Sequence, residues 1–131
     1  MELSSLLTVT PIYIAVLGLV FIVVTLRAGL YRVKMKIDIG AGDDPEMLRR
    51  MRAQANFVET VPIALILLIT MELLGASNTW LHALGLVLVV GRIAHYLGLA
   101  KLGPLAFRVV GMIATLVTIL VSSIWVLFNM L

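Results

Sequence analysis

Two apolar runs without a single charge limit this chain more than any other feature. Residues 6–26 form one of 21 residues and residues 109–131 one of 23. A helix needs about 20 apolar residues to cross the roughly 30 Å of a bilayer's hydrocarbon. In lipid a helix also satisfies its own backbone, so both runs predict transmembrane helices. Two further stretches are long enough to span: residues 53–74, apolar except for Asn56, Glu59 and Glu72, and residues 80–99, apolar except for His82, Arg92 and His95. The expected fold is therefore an all-α integral membrane protein, a single four-transmembrane-helix bundle over residues 1–131. Its spans fall at about 6–30, 47–74, 80–99 and 105–130. Composition agrees, with 62% hydrophobic and 13% charged residues, against about 45–50% and 25% in soluble domains. The first span does not read as a cleavable signal peptide. It carries Glu2 rather than a basic leader, its apolar run is too long, and no small-residue cleavage pattern follows it.

The net charge of +3 does not point to nucleic acid, because the cations are clustered. Seven of the ten lie between or at the ends of the first two spans, and Arg92, Lys101 and Arg108 flank the connection between the last two. By the positive-inside rule both basic sides face the cytoplasm and both termini face outward. In the first loop Gly40, Gly42 and Pro45 break the helix, and Asp44 before Pro45 reads as the N-cap of the second. Gly75 to Asn78 reads as a tight outer turn, with Trp80 as an interfacial anchor. Gly103 and Pro104 separate the third helix from the fourth. The chain has no cysteine, hence no disulfide, thiolate metal site or protein thiol nucleophile. Its two histidines lack a ligand-pair spacing, so no metal site is expected.

Ionisable groups inside a span cost about 2.5–3.5 kcal/mol each on insertion scales, which makes them functional candidates. Arg49, Arg52, Asn56 and Glu59 recur at spacings of 3, 4 and 3, and so share one face of the second helix. Arg92, His95 and Leu99 share a face of the third. Both faces lie at the cytoplasmic ends and are expected to bury against each other. Glu59 sits about 10 Å along the helix from Arg52 and stays poorly hydrated unless Arg92 or another cation meets it. Singly, the arginines read as cations reaching for headgroups, Glu59 with Arg92 as a structural ion pair, and Asn56 as interhelical glue. Together they suit a small zwitterionic or polyanionic ligand whose carboxylates take arginine forks. Tyr31, Tyr96 and Trp125 read as packing aromatics, and Glu72 as an interfacial residue.

The segment Arg52-Ala53-Gln54-Ala55-Asn56-Phe57-Val58-Glu59-Thr60-Val61-Pro62 resembles the signature of the MAPEG family, the membrane-associated proteins in eicosanoid and glutathione metabolism. Gly91-Arg92-Ile93-Ala94-His95 is similar to that family's third-span block, and Phe107 to Met112 to the start of its fourth. The resemblance covers nearly the whole chain and is nearest to the bacterial inner-membrane branch. It implies a homotrimer with glutathione as co-substrate, bound between subunits at the cytoplasmic side. Carried over by position, Arg52, Gln54, Asn56, Glu59, Arg92 and His95 line the glutathione site, with Glu59 suited to its ammonium. Arg108 is the implied catalytic arginine that stabilises the thiolate. Two tyrosines found in several eukaryotic members are replaced here by Thr60 and Leu99, with Tyr96 the nearest aromatic able to substitute.

The expected activity is a glutathione-dependent transferase or peroxidase. Its lipophilic small-molecule electrophile enters from the membrane lipids, along the apolar flank of helices one and four. A non-catalytic lipid- or glutathione-binding protein of the same fold is the alternative that the missing tyrosines favour. A small proton-coupled multidrug transporter fits less well. Its essential carboxylate belongs in the first span, which has none, and the arginines around Glu59 would repel cationic drugs.

Overall fold

Proline, glycine and short polar side chains decide where each helix starts and stops. The computed structural model describes residues 6–131. It contains α1 (Thr10–Met35), α2 (Pro45–Leu73), α3 (Asn78–Leu99) and α4 (Leu105–Met130). Each is long and apolar enough to cross a bilayer. Glu2 lies outside the described residues. Three helices begin within two residues of the expected positions, and α4 matches at both ends. The exception is α1, which starts at Thr10 rather than residue 6 and runs on to Met35 rather than residue 30. Lys36 then turns into the left-handed region (φ 55°), and its N–H and that of Ile37 close on the carbonyls of Val33 and Arg32.

Asp44 starts α2 as the sequence predicts. Its Oδ1 accepts the N–H groups of Glu46 (2.8 Å) and Met47 (2.9 Å), and its Oδ2 accepts the Tyr31 hydroxyl (3.0 Å). Arg32 donates to the Gly40 carbonyl at 2.8 Å and holds the glycine loop against α1. At the other end Gly75 (φ 83°) closes α2, and Ser77 caps α3.

Glu72 is where the structure departs furthest from the interfacial role expected of it. α1 has no side-chain cap of its own at Val9. Glu72 reaches across from α2, and its carboxylate accepts the backbone N–H groups of Thr8 (2.6 Å), Val9 (2.7 Å) and Thr10 (2.8 Å). Pro11 has no N–H to satisfy, and Ile12 bonds to the Val9 carbonyl. The first turn of α1 therefore leaves no amide unpaired, and a negative charge meets the positive end of its dipole. A single carboxylate spaced for no partner on its own helix gives no periodic signal, so sequence reading misses this contact.

The most extensive helix contact is α3 on α4, and it is set by glycine. A Cβ at Gly111 would collide with the Gly91 carbonyl and come within 2.5 Å of the His95 nitrogen. One at Gly98 would collide with the Arg108 nitrogen. Small residues let backbones approach this closely, as in many membrane helix pairs. The face of α4 turned inward carries Gly111, Thr115, Thr118 and Ser122, and the hydroxyls of Thr115 and Thr118 bond back to their own helix. Leu17, Leu68, Met71, Leu81 and Leu88 fill the core toward the Gly75 end. Large apolar side chains such as Leu19, Leu116 and Phe128 stay exposed, as lipid contact requires. Asn56, Arg92, His95 and Arg108 lie in the other half, toward the basic loops.

Two outcomes are expected from this packing. The N–H of Met47 holds the Asp44 carboxyl below the usual carboxylate range. Its cap is therefore fully present above the unfolded value near 3.8 and is lost as pH falls through the folded value. Amide exchange at Glu46 and Met47 should accelerate between about pH 5 and pH 2 beyond the chemical trend. Asp44→Asn should flatten that response. Gly111→Ala should destabilise the protein by about 1–3 kcal/mol through overpacking. Thermal unfolding in detergent measures it, and an unshifted midpoint would contradict the close approach.

Candidate functional site

Arg92 is the buried cation of the bundle, 2% exposed and facing no carboxylate among the described residues. Neutral groups from two other helices receive it. From α2, Asn56 Oδ1 accepts from Nη1 at 2.6 Å and the Thr60 hydroxyl oxygen accepts from the same nitrogen at 3.2 Å. From α4, the Gly111 carbonyl accepts from Nη2 at 3.1 Å. The Thr60 hydroxyl in turn donates to the Asn56 carbonyl at 2.7 Å. Arginine only donates, so the Asn56 amide must turn its oxygen to Arg92 and its NH2 away, toward Met112 Sδ at 3.8 Å.

That NH2 faces a cavity between α2, α3 and α4. A polar compartment of about 200 Å³ is lined by Arg49, Arg52, Asn56, His95, Leu99 and Arg108. An adjoining apolar compartment of about 340 Å³ shares Asn56, His95 and Arg108 and adds Val109, Met112 and Ile113. His95 is nearly buried, with Nδ1 2.9 Å from the Arg108 carbonyl oxygen. Gly98, packed on the Arg108 backbone, sets that distance. The lining of the polar compartment includes no carboxylate. Such a site can receive an anionic head with an apolar extension.

Of the residues predicted from sequence, Arg52, Asn56, His95 and Arg108 meet at this cavity, and Arg92 lies directly behind Asn56. Gln54 does not join them, for its amide points to the Thr25 hydroxyl of α1 at 3.4 Å. Glu59 does not meet Arg92. It lies across the helix from the buried Phe57 and Val61, on the exposed edge of the face that carries Arg52. It pairs loosely with Arg52 at 3.9 Å, both side chains being more than half exposed. Tyr96 is no substitute for the missing tyrosines, because its ring lies beneath Arg27 (5.9 Å) among Val24 and Ala53. α1 and α4 make no close backbone approach among the described residues, so the expected flank of helices one and four is not formed within the chain. An apolar groove of about 450 Å³ lies instead between α1 and α2, lined by Leu17, Phe21, Phe57, Val61 and Pro62 among others. Sequence reading missed Thr60 as a partner of Arg92. Its spacing of four from Asn56 was the available signal.

Removing the guanidinium should expose how much the site rests on it. Arg92→Met leaves the Asn56 oxygen without its donor in a buried setting, and is expected to cost about 2–3 kcal/mol. Arg92→Lys should recover only part, because a compact ammonium lacks the planar fork whose two nitrogens reach acceptors on different helices. Unfolding midpoints of the two variants in detergent decide it, and equal stability to the parent would refute the network's role.

The comparisons with known proteins bear on the family of the chain. The chain is similar to the inner membrane protein YecN of Escherichia coli strain K12 and to the same protein of strain O6:H1, each 37% identical over 67 residues. The alignment covers 51% of this chain and 51% of each relative, so the chain spans about half the length of the curated relatives it matches. The profile of the MAPEG family matches residues 10–128, from the start of α1 almost to the end of α4. With four membrane-length helices and a family match over nearly its whole length, the chain belongs to the MAPEG family.

Proposed function

We infer that this protein is a membrane-bound, glutathione-dependent transferase or peroxidase acting on lipophilic electrophiles. In this reading it works as a homotrimer, with its basic loops in the cytoplasm and its termini outside. One observation carries the activity. Three guanidinium groups and an outward-turned amide NH2 line a compartment free of carboxylates, which opens directly onto an apolar one. The carboxylates of glutathione suit Arg49 and Arg52, as charge-assisted forks. Its sulfur suits the seam between the compartments, where Arg108 and the Asn56 amide donate. Glu59, exposed beside Arg52, is available to the ammonium from the rim.

The chemistry is nucleophilic. A free thiol ionises near about 8.5 and is mostly protonated at neutral pH, so an adjacent cation in a site of low dielectric favours the reactive anion. The thiolate lone pair attacks an electrophilic carbon, and the leaving group departs with its bonding pair. The apolar compartment beside Val109, Met112 and Ile113 offers the electrophile a place in contact with that sulfur. A second reading, a non-catalytic glutathione or lipid carrier, is favoured by one feature. No phenol lines either compartment, since Leu99 fills one position and the Thr60 hydroxyl is committed to Arg92 and the Asn56 carbonyl.

The test is glutathione binding to detergent-purified protein, followed by calorimetry and by thiolate absorbance in the ultraviolet. Arg52→Ala should weaken binding about 10- to 100-fold, the worth of a charge-assisted pair. Arg108→Ala should reduce turnover more than affinity. Binding without turnover would favour the carrier, and absence of binding would remove glutathione altogether.

A further inference from the structure

The cavity is rich in donors and almost without acceptors. Arg49, Arg52 and Arg108 only donate, and the Asn56 oxygen is taken by Arg92. The other acceptor of note is the His95 ring. His95 Nδ1 lies 2.9 Å from a carbonyl, which can only accept, so Nδ1 carries the proton and the neutral ring keeps its free pair at Nε2. Nε2 has no hydrogen-bond partner among the described residues. It is also not among the buried atoms left without one, which are Arg92 Nε and Ser122 Oγ, so it opens to the cavity that His95 lines. His95 belongs to both compartments, at the seam where the sulfur of a bound thiol would sit. The ring cannot turn to offer Nδ1 instead without giving up the Arg108 carbonyl.

We propose that His95 Nε2 is a catalytic base of this protein, accepting the proton of the glutathione thiol at the seam between the two compartments. This rests on the glutathione reading above. The S–H bond breaks and an N–H bond forms at Nε2, leaving a thiolate beside Arg108 and an imidazolium on α3. The sulfur lone pair then forms the bond to the electrophilic carbon, the leaving group departs with its electrons, and the imidazolium returns its proton to water. The charged groups facing the ring are Arg49 and Arg52 from α2, Arg108 from α4 and Arg92 on its own helix. The incoming carboxylates and thiolate offset that positive field. The step does the work that a phenol cannot do here, since no tyrosine lines either compartment.

The experiment is His95→Asn in the full-length protein. Its amide nitrogen takes the place of Nδ1 and keeps the bond to the Arg108 carbonyl, while the lone pair at Nε2 is lost. Affinity for S-methylglutathione, which has no thiol proton, is measured first. Turnover of glutathione with 1-chloro-2,4-dinitrobenzene then follows across pH 6 to 10. The expected result is turnover lowered about 100-fold at neutral pH, as for loss of a general base, with a much smaller loss of affinity because His95 also lines the binding site. The deficit should close as pH rises past about 8.5, where the thiol ionises unaided. His95→Gln, which keeps the volume, should behave alike. A deficit that is constant with pH, or no deficit, overturns the proposal while leaving the glutathione reading standing. Failure of the parent protein to bind either glutathione or S-methylglutathione overturns both.

Discussion

A guanidinium held inside a membrane protein, with no counter-ion among the described residues, is the constraint on which the rest of this structure depends. Arg92 is almost wholly buried on α3, and a buried charge is costly unless hydrogen bonds meet it. Three acceptors from α2 and α4 meet its two terminal nitrogens, an amide, a hydroxyl and a backbone carbonyl, while Nε stays without a partner. The arrangement joins three helices at one point. It also fixes the direction of the Asn56 amide, so the polarity of the cavity is decided behind its wall rather than at its surface.

Around that point the helices are unequally bound. α3 and α4 meet backbone to backbone through Gly91, Gly98 and Gly111, and their register fixes where Arg108 and His95 stand relative to each other. α1 is held more by side chains, through Leu17 in the core, the Tyr13 hydroxyl bonded to His82, and Gln54 reaching Thr25. The cavity is built on the stiff side of the bundle. The apolar groove between α1 and α2 lies on the other side, where Gly18 and Pro62 leave room.

Much of this was legible in the chain. Charge-free runs gave the first and last helices and long, mostly apolar stretches the middle two. Turn residues gave most of their ends, and the spacing of Arg52 and Asn56 gave the face that the cavity uses. What periodicity could not supply was the identity of each neighbour. It put Glu59 on the ladder with Arg52 and Asn56, and Glu59 does lie beside Arg52, but Arg92 is met by neutral groups instead of this carboxylate. Thr60, noted only as a missing phenol, is a partner of Arg92. The Gly111 carbonyl could not be foreseen at all, because every residue has one. Glu72 escaped for a related reason: its partners are main-chain amides of another helix, which leave no mark in composition or spacing.

The Glu72 contact also bears on how the protein is made. The leading end of α1 has no cap within its own sequence, and the group that completes it is supplied 62 residues later, at the far end of α2. During synthesis α1 therefore emerges with its first amides unpaired, and they gain their carboxylate only after α2 has been threaded back alongside it. The α1–α2 hairpin is thus latched at its Gly75 end by a contact that exists only once both helices lie side by side. The α3–α4 pair needs no such latch, being sealed by its own glycines.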